Sequence, residues 1–572
     1  MKYKFFITNS FCAVLIVSIG IIAISSCSKV LDDKYLNPNN PVEVSIESIL
    51  PNVINQMTST AAPPAGGGGG SYGPATDALV LGRYTQFWNF YASGENYDEM
   101  GAQFATTSDV TGNVWAMHYY GIGANAKYII SRGAAQQKWD YVGVSYAIFA
   151  FSWLTLTEQY GEVILKEAFN TSQSQFNYDT QSDVYDTVRK ICDSAIYYLN
   201  RTDGAVSASN LALGDGYFYG GDVKKWKKFV YAIKARSFAH LSNKSFYATR
   251  GYADSVIKYV DSSINFNADN ATQKWVGGNF SGTNNYYGVY RGNISGTGNG
   301  AVRQSAFIAD LLSGANTVSP FTGVFDPRTP YLINENAVLP VTPTPASYKG
   351  VLPDQGTGSP GLAIVANQPK TFWRQPYSIT STAVPDSGRY IFNNLAEFPV
   401  ITAAELQFLK AEAAFRKGAK DVARQAYIKG LNLSFELLTT KYDSRVPASQ
   451  KINAASQAAF MTNPAVVPIS DAALTLSQIM LQKYISIYGY GCNEAWTDLR
   501  RFHYTDLDPV TGKAVFAGLI LPTRLATYNN TKFAYRCRPR YNSEYLYNIP
   551  ALQTIGALAS DYHTKEQWFS LP

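Results

Sequence analysis

Paired acids, histidines and an aspartate-rich turn are the residues of this chain with the types and spacing for catalysis or metal binding. Asp98 with Glu99, and Glu494 with Asp498, offer the two carboxyl groups that hydrolysis of a glycosidic bond requires at a defined separation. A chain with 42 acids supplies such pairs by chance, and solvated faces or helix caps are their expected setting. A general base would have to be His118, His240, His503 or His563, yet no Gly-x-Ser-x-Gly elbow accompanies them. No His-Glu-x-x-His zinc motif occurs either. Asp506 and Asp508 open "DLDPVTGKAVF" as a calcium loop would. Val510 and Thr511 then stand where a third ligand and a glycine belong, so an Asx-type turn is expected. "PPAGGGGGSYGP" (63–74) lacks the Lys-Ser/Thr of a phosphate cradle and reads as a mobile loop. "GTGNG" (296–300) follows no strand and carries no dinucleotide signal. No catalytic residue, metal site or cofactor is expected.

Binding chemistry is better represented. Aromatic residues make up 14% of the chain against 16% charged, with 41 Tyr and 9 Trp. Rings suit the apolar C–H face of a sugar, although tyrosine also packs cores. Two aromatic loops stand out, "FWNFYASGENYDEM" and "KWVGGNFSGTNNYYGVYRGN". In them Trp88, Tyr91, Tyr97, Trp275, Tyr287 and Tyr290 are the expected stacking residues, and Asn96 and Asn284 the polar partners for hydroxyl groups.

The amino terminus explains how such a surface would be held in place. Phe11 to Ile24 is an apolar run too short to span a bilayer, preceded by Lys2 and Lys4, as in an export signal. Ile24, Ser25 and Ser26 before Cys27 resemble a bacterial lipoprotein signal, in which Cys27 is lipidated after cleavage, and several acyl chains give a lasting anchor. Residues 1–26 are thus expected to be removed and 27–41 to form a lipidated tether. Loss of Lys2 and Lys4 lowers the formal charge from +6 to +4, which points to no nucleic acid or other polyanion. Cys192, Cys492 and Cys537 cannot build a disulfide framework; they are buried free thiols, or Cys492 and Cys537 form one bridge.

The elements that position these loops are helices. Val184, Val188, Ile191, Ala195 and Tyr198 recur at steps of four and three. Similar stripes run through Trp226, Phe229, Val230 and Ile233, and through Ala253, Val256, Ile257, Val260 and Ile264. Further helices are predicted at about 43–60, 77–92, 109–132, 138–160, 303–313, 402–417, 419–437 and 471–488. In 402–437 a break at Gly418 separates two helices, with Ala411, Ala423, Tyr427 and Gly430 at the spacing of a tetratricopeptide-type hairpin. The fold class is therefore mainly α, made of tetratricopeptide-like hairpins with long irregular loop insertions. The largest insertion spans about 267–400, where Gly, Asn, Pro and aromatics concentrate. Ordered binding loops are expected at 272–293 and a looser surface at 336–362.

Several segments together resemble the SusD/RagB-type outer-membrane nutrient-binding lipoproteins of Bacteroidetes. They are "YLNPNNPVEVSIESILPNVINQ", "AFSWLTLTEQYGEVILKEAF", "GDGYFYGGDVKKWKKFVYAIKARSFAHLS", "ITAAELQFLKAEAAFRKG", "IMLQKYISIYGYGCNEAWTDLRRF" and "RPRYNSEYLYNIPAL". Asn542 departs from the family's usual proline. The resemblance implies one domain over 42–572 and a helical fold of four tetratricopeptide-like pairs. It also implies a surface lid over a TonB-dependent, SusC-like transporter that captures glycans or other nutrients at the outer membrane. Trp226, Arg236, Trp496 and Arg500 carry the resemblance and are expected to pack or pair structurally. A surface glycoside hydrolase and a helical-repeat adaptor without a small ligand are the alternatives.

Overall fold

A computed structural model describes residues 43–59, 72–92, 98–100, 109–292, 294, 302–337, 343–375 and 385–572. Cys27, the tether, Asn96 and Tyr97 lie outside the described residues. The elements in chain order are α1 (Ile46–Asn55), α2 (Pro74–Tyr84), β1 (Trp88–Phe90), α3 (Ala124–Ala135), α4 (Trp139–Tyr160), α5 (Gln181–Leu199) and α6 (Ala208–Asp215). They continue with α7 (Val223–Ala239), α8 (Tyr252–Asp261), β2 (Ala271–Gln273), β3 (Val302–Gln304), α9 (Ala306–Ser313) and β4 (Phe398–Ile401). Then come α10 (Ala403–Lys417), α11 (Lys420–Lys441), α12 (Ala454–Met461), α13 (Leu476–Ser486) and α14 (Cys492–Arg501), with shorter helices at Asn113–Ala116, Thr329–Leu332 and Ile549–Thr554. No described helix is long and apolar enough to cross a membrane.

The helices pack as neighbouring pairs: α3 with α4, α4 with α5, α7 with α8, and α10 with α11. Local chemistry sets their ends. The Thr180 side chain accepts from Asp183 N to start α5, Asp222 accepts from Lys224 N and Lys225 N to start α7, and Thr402 accepts from Glu405 N to start α10. Each bond satisfies a donor that a helix N-terminus otherwise leaves unmade. Gly418 ends α10 in the left-handed region at φ 87, a conformation that glycine adopts without strain. The chain then turns back as α11. Gly430 of α11 sits so close to α10 that a Cβ there would stand 2.9 Å from the Phe408 ring. The Tyr427 ring meets Phe408 edge-on at 6.0 Å. The small and aromatic positions of the predicted hairpin therefore do the work their spacing implies.

The predicted helix 77–92 is two elements. α2 stops at Tyr84, Gln86 takes a positive φ of 56, and Trp88 enters an antiparallel pair with Gln304 of β3. β2 pairs with β4 in the same sense, Ala271 opposite Ile401. The β2–β4 ladder joins the two ends of the long insertion to each other, and the β1–β3 ladder ties its interior to the segment after α2.

Candidate functional site

The two aromatic loops do converge, but through rings that form a floor. Trp88 meets Tyr287 edge-on at 5.9 Å and Phe372 at 6.0 Å. Phe372 stacks on Phe392 at 4.4 Å, and Tyr287 stacks on Phe392 at 6.0 Å. The close approach is built into α2: a Cβ on Gly82 would stand 2.2 Å from the Trp88 ring. Trp88 and Tyr287 are completely buried. Tyr91 is buried too, with its hydroxyl on Gln368 Oε1 and the Arg303 guanidinium 4.8 Å over its ring. None of these three rings offers a free face, so they are corrected from stacking residues to packing residues. A ring in a short turn packs inward whenever a glycine leaves it room, and sequence spacing does not reveal that room.

Trp275 is also buried, and its indole N–H finds no acceptor. Asn284 is buried and inward-facing; its Nδ2 donates to the Gly278 and Phe280 carbonyl oxygens at 2.9 and 2.8 Å. It shapes the turn and is not itself a surface partner. Tyr290 alone of the described aromatic candidates is exposed, at 47%. Around it stand three apolar side chains that the sequence reading passed over: Phe280 at 75%, Val276 and Leu395. Their proximity follows from backbone contacts. Tyr290 N donates to Asn394 Oδ1 at 2.8 Å and Tyr290 Oη donates to the Asn279 carbonyl. Gly277 lies against Leu395, where a Cβ would stand 2.8 Å from Cδ2. Asn285 ties this loop to residues 391–396, donating to the Ile391 and Ala396 carbonyls at 2.6 and 3.2 Å. The result is an exposed apolar rim on a hydrogen-bonded loop, with the Asn279 and Asn394 amides beside it. Phe280 was legible in principle, as a large ring flanked by Asn, Ser and Gly with no helical partner.

The catalytic alternatives fare differently. Asp98 accepts from Tyr84 Oη and from Asn529 Nδ2, and Glu99 pairs with Arg83 at 2.6 Å. Glu494 and Asp498 belong to a fully buried charge network between α7, α10, α13 and α14. His240 Nε2 lies 3.0 Å from Glu494, and its Nδ1 contacts Glu158. Arg236 bonds Glu405 at 2.7 and 2.8 Å, and Arg501 bonds Glu412 at 2.8 and 2.9 Å. Burial alone would push the His240 imidazolium down, but Glu158 and Glu494 against its two nitrogens raise it to about 9. His240, Glu494 and Asp498 hold ligand atoms within 4.8 Å of one another, a spacing that a cation accepts. Lys483 Nζ already fills that role, 2.6 Å from Glu494 and 2.8 Å from Asp498. With every carboxylate paired, neither acid is free to protonate a leaving group or activate water.

Asp508 accepts from Val510 N at 2.8 Å and Ser477 N at 2.6 Å, the expected Asx-type turn with a second bond to the start of α13. Cys192, Cys492 and Cys537 are free and buried. Trp226 donates to Asp215 at 2.8 Å, Trp496 donates to Tyr504 at 3.0 Å, and the Arg500 guanidinium lies 3.7 Å over the Trp496 ring. With Arg236 on Glu405, these four residues are structural, as their helical positions imply.

Residues 38–528 match the model of a family described as starch-binding and associating with the outer membrane, the SusD-like proteins. The chain belongs to that family. Its solved neighbours share the mainly helical, tetratricopeptide-like fold. A SusD/RagB family protein from Bacteroides thetaiotaomicron is 19% identical, with 92% of this chain and 99% of that one covered at a TM-score of 0.61. A SusD homologue from Bacteroides fragilis is 19% identical, with 92% and 99% covered at 0.66. A chitin-binding SusD homologue from Flavobacterium johnsoniae is 18% identical, with 92% and 98% covered at 0.57. No curated protein matches the sequence. None of these relatives points to an enzyme family.

Proposed function

We propose that this SusD-like protein is a lipid-anchored surface protein of the outer membrane that captures glycan and hands it to a TonB-dependent, SusC-like transporter. The observation that carries the reading is the exposed rim of Phe280, Tyr290, Val276 and Leu395 on a loop held by Asn284, Asn285 and Asn394. Apolar surface that a protein keeps in water on an ordered loop is a binding surface in waiting. A ring face beside amide groups is the chemistry that receives a sugar. The family description and the chitin-binding relative support the same class of ligand. The pairing of Asp98, Glu99, Glu494 and Asp498 favours binding without cleavage.

Calorimetry of the intact protein against maltooligosaccharides and chitooligosaccharides tests this, with product analysis on the same mixtures. Binding without released product is expected for at least one series; release of shorter sugars supports the hydrolase alternative instead. Anchoring is tested separately. Cys27→Ala is expected to lose acyl labelling and to leave the membrane fraction in cells without the transporter, and retention there overturns lipidation as the anchor. Co-purification of the barrel in mild detergent is the corresponding test of the partner.

A further inference from the structure

Helix α9 contains one residue out of keeping with its surroundings. All of its residues but Asp310 are buried. Asp310 opens into a pocket of about 520 Å³ between α9 and residues 345–360, within the range of volumes that small-molecule sites occupy. Burial is the sole influence on its carboxyl group, which is pushed up to about 6 with no cation or donor to offset it. One turn further on, the buried Ser313 hydroxyl also lacks a partner. Half-buried carboxylates and buried hydroxyls are costly to leave unpaired. The acids of the buried charge network between α7, α10, α13 and α14 are each paired with a cation, and Asp310 is not.

The pocket walls are held in place. Ala306 N donates to the Val351 carbonyl at 2.9 Å, and Gly350 packs so tightly on Ser305 that a Cβ would stand 2.2 Å from its carbonyl carbon. At the other end Gly314, at φ +78, lies against the Val324 backbone, where a Cβ would meet it at 2.7 Å. Pro345, Leu352 and Pro360 contribute apolar lining, and Lys349 lines the same space as Asp310. An anionic ligand would meet Asp310, and a cationic one Lys349. A neutral ligand with adjacent hydroxyls suits both, because a carboxylate accepts two hydrogen bonds at once and an ammonium donates to oxygen.

We propose that this pocket is a second saccharide site, separate from the rim, in which Asp310 and Ser313 take the vicinal hydroxyls of one neutral sugar residue. The ligand class rests on the glycan reading given above. The site shares no lining residue with the rim.

The test uses the intact protein with carbon-13 label in its aspartate carboxyl groups. Methyl glucoside, mannoside, galactoside, xyloside and N-acetylglucosaminide are added in turn. At least one is expected to move the Asp310 resonance, and its analogue deoxygenated at one of the paired hydroxyls to leave it in place. A resonance that none of them moves overturns the site. Asp310→Asn should weaken that sugar by about tenfold or more, since bonds to a charged acceptor are lost, and should leave the melting temperature equal or higher at neutral pH. A marked fall in melting temperature would make Asp310 a structural residue and overturn the proposal. Oligosaccharide binding that Phe280→Ala weakens and Asp310→Asn does not removes the pocket alone. Absence of any oligosaccharide binding by the native protein removes both readings.

Discussion

Two of the places where this protein takes carboxylates out of water, one fully and one in part, do so in opposite ways. In the seam between α7, α10, α13 and α14, Glu494 faces His240, Lys483 and Arg236, and Glu412 faces Arg501 and Arg416. At α9, Asp310 has burial without compensation. The seam joins helices distant in sequence and leaves no valence for a ligand. The pocket leaves valence open and joins nothing. A saturated cluster is thus read as structure and an unsaturated one as a site, even though the cluster has more of the residue types that catalysis uses.

The comparison breaks most severely at Lys483, which is completely buried. Lys483→Met removes the ammonium that bridges Glu494 and Asp498, leaving Glu494 to His240 and Arg236 and Asp498 to Arg501. Loss of one member of a buried ion network costs about 3–5 kcal/mol. Chemical denaturation should show that loss; a change below about 1 kcal/mol would mean that solvent reaches the seam.

A smaller effect separates the seam from the pocket by pH. Glu158 and Glu494 raise His240 to about 9, above its unfolded value near 6.5. Its stabilising contribution is full below pH ~6.5 and is lost as pH rises through about 9. Burial would raise Glu412, but Arg501 and Arg416 hold it down to about 2. Its contribution is present above its unfolded value near pH 4.3 and is lost as pH falls through about 2. The unfolding free energy should therefore fall on both flanks, by on the order of a few kcal/mol on each, and the melting temperature with it. Asp310 shares the alkaline direction with His240, since a raised carboxyl favours the fold only while protonated. The variants distinguish the two: His240→Ala removes the cation against Glu158 and one of those against Glu494 and destabilises, whereas Asp310→Asn relieves a cost.

The same contrast explains what could be read from the chain. The helices α4, α5, α10 and α11 were legible because each buries a face through its own periodicity, and the Gly418 break with Tyr427 and Gly430 is a local signal of a hairpin. α6 and α12 were missed because they are short, and Asn, Ser and Ala leave little apolar period in them. The end of α2 was misplaced because Trp88 answers to Gln304, more than two hundred residues away. Among the candidate residues, Tyr290 is exposed, while Trp88, Tyr91 and Tyr287 are aromatic too and have the opposite exposure. Ring identity is local information; which face of the ring is free is not. Asp310 gave no local signal at all, since an acid on a helix is ordinarily a solvated one.

The smallest expected effect lies at the rim, where the comparison turns from charge to rings. Tyr290 and Phe280 are exposed in the free protein, so truncating either removes little buried contact, and the melting temperature should stay nearly unchanged. Each ring lost from a stack should weaken oligosaccharide binding by about 0.5–1.5 kcal/mol, up to roughly tenfold in Kd. Trp88→Ala reverses the pattern: the floor ring is buried among Tyr287 and Phe372, and its loss should cost about 3–5 kcal/mol of stability. Calorimetry on Phe280→Ala and Tyr290→Ala beside thermal melts of Trp88→Ala reads both halves. Normal binding by the two rim variants, in a protein whose native form binds oligosaccharide, would move the capture surface away from the 274–292 loop. The Asp310 pocket would then be the only remaining sugar contact proposed for the insertion.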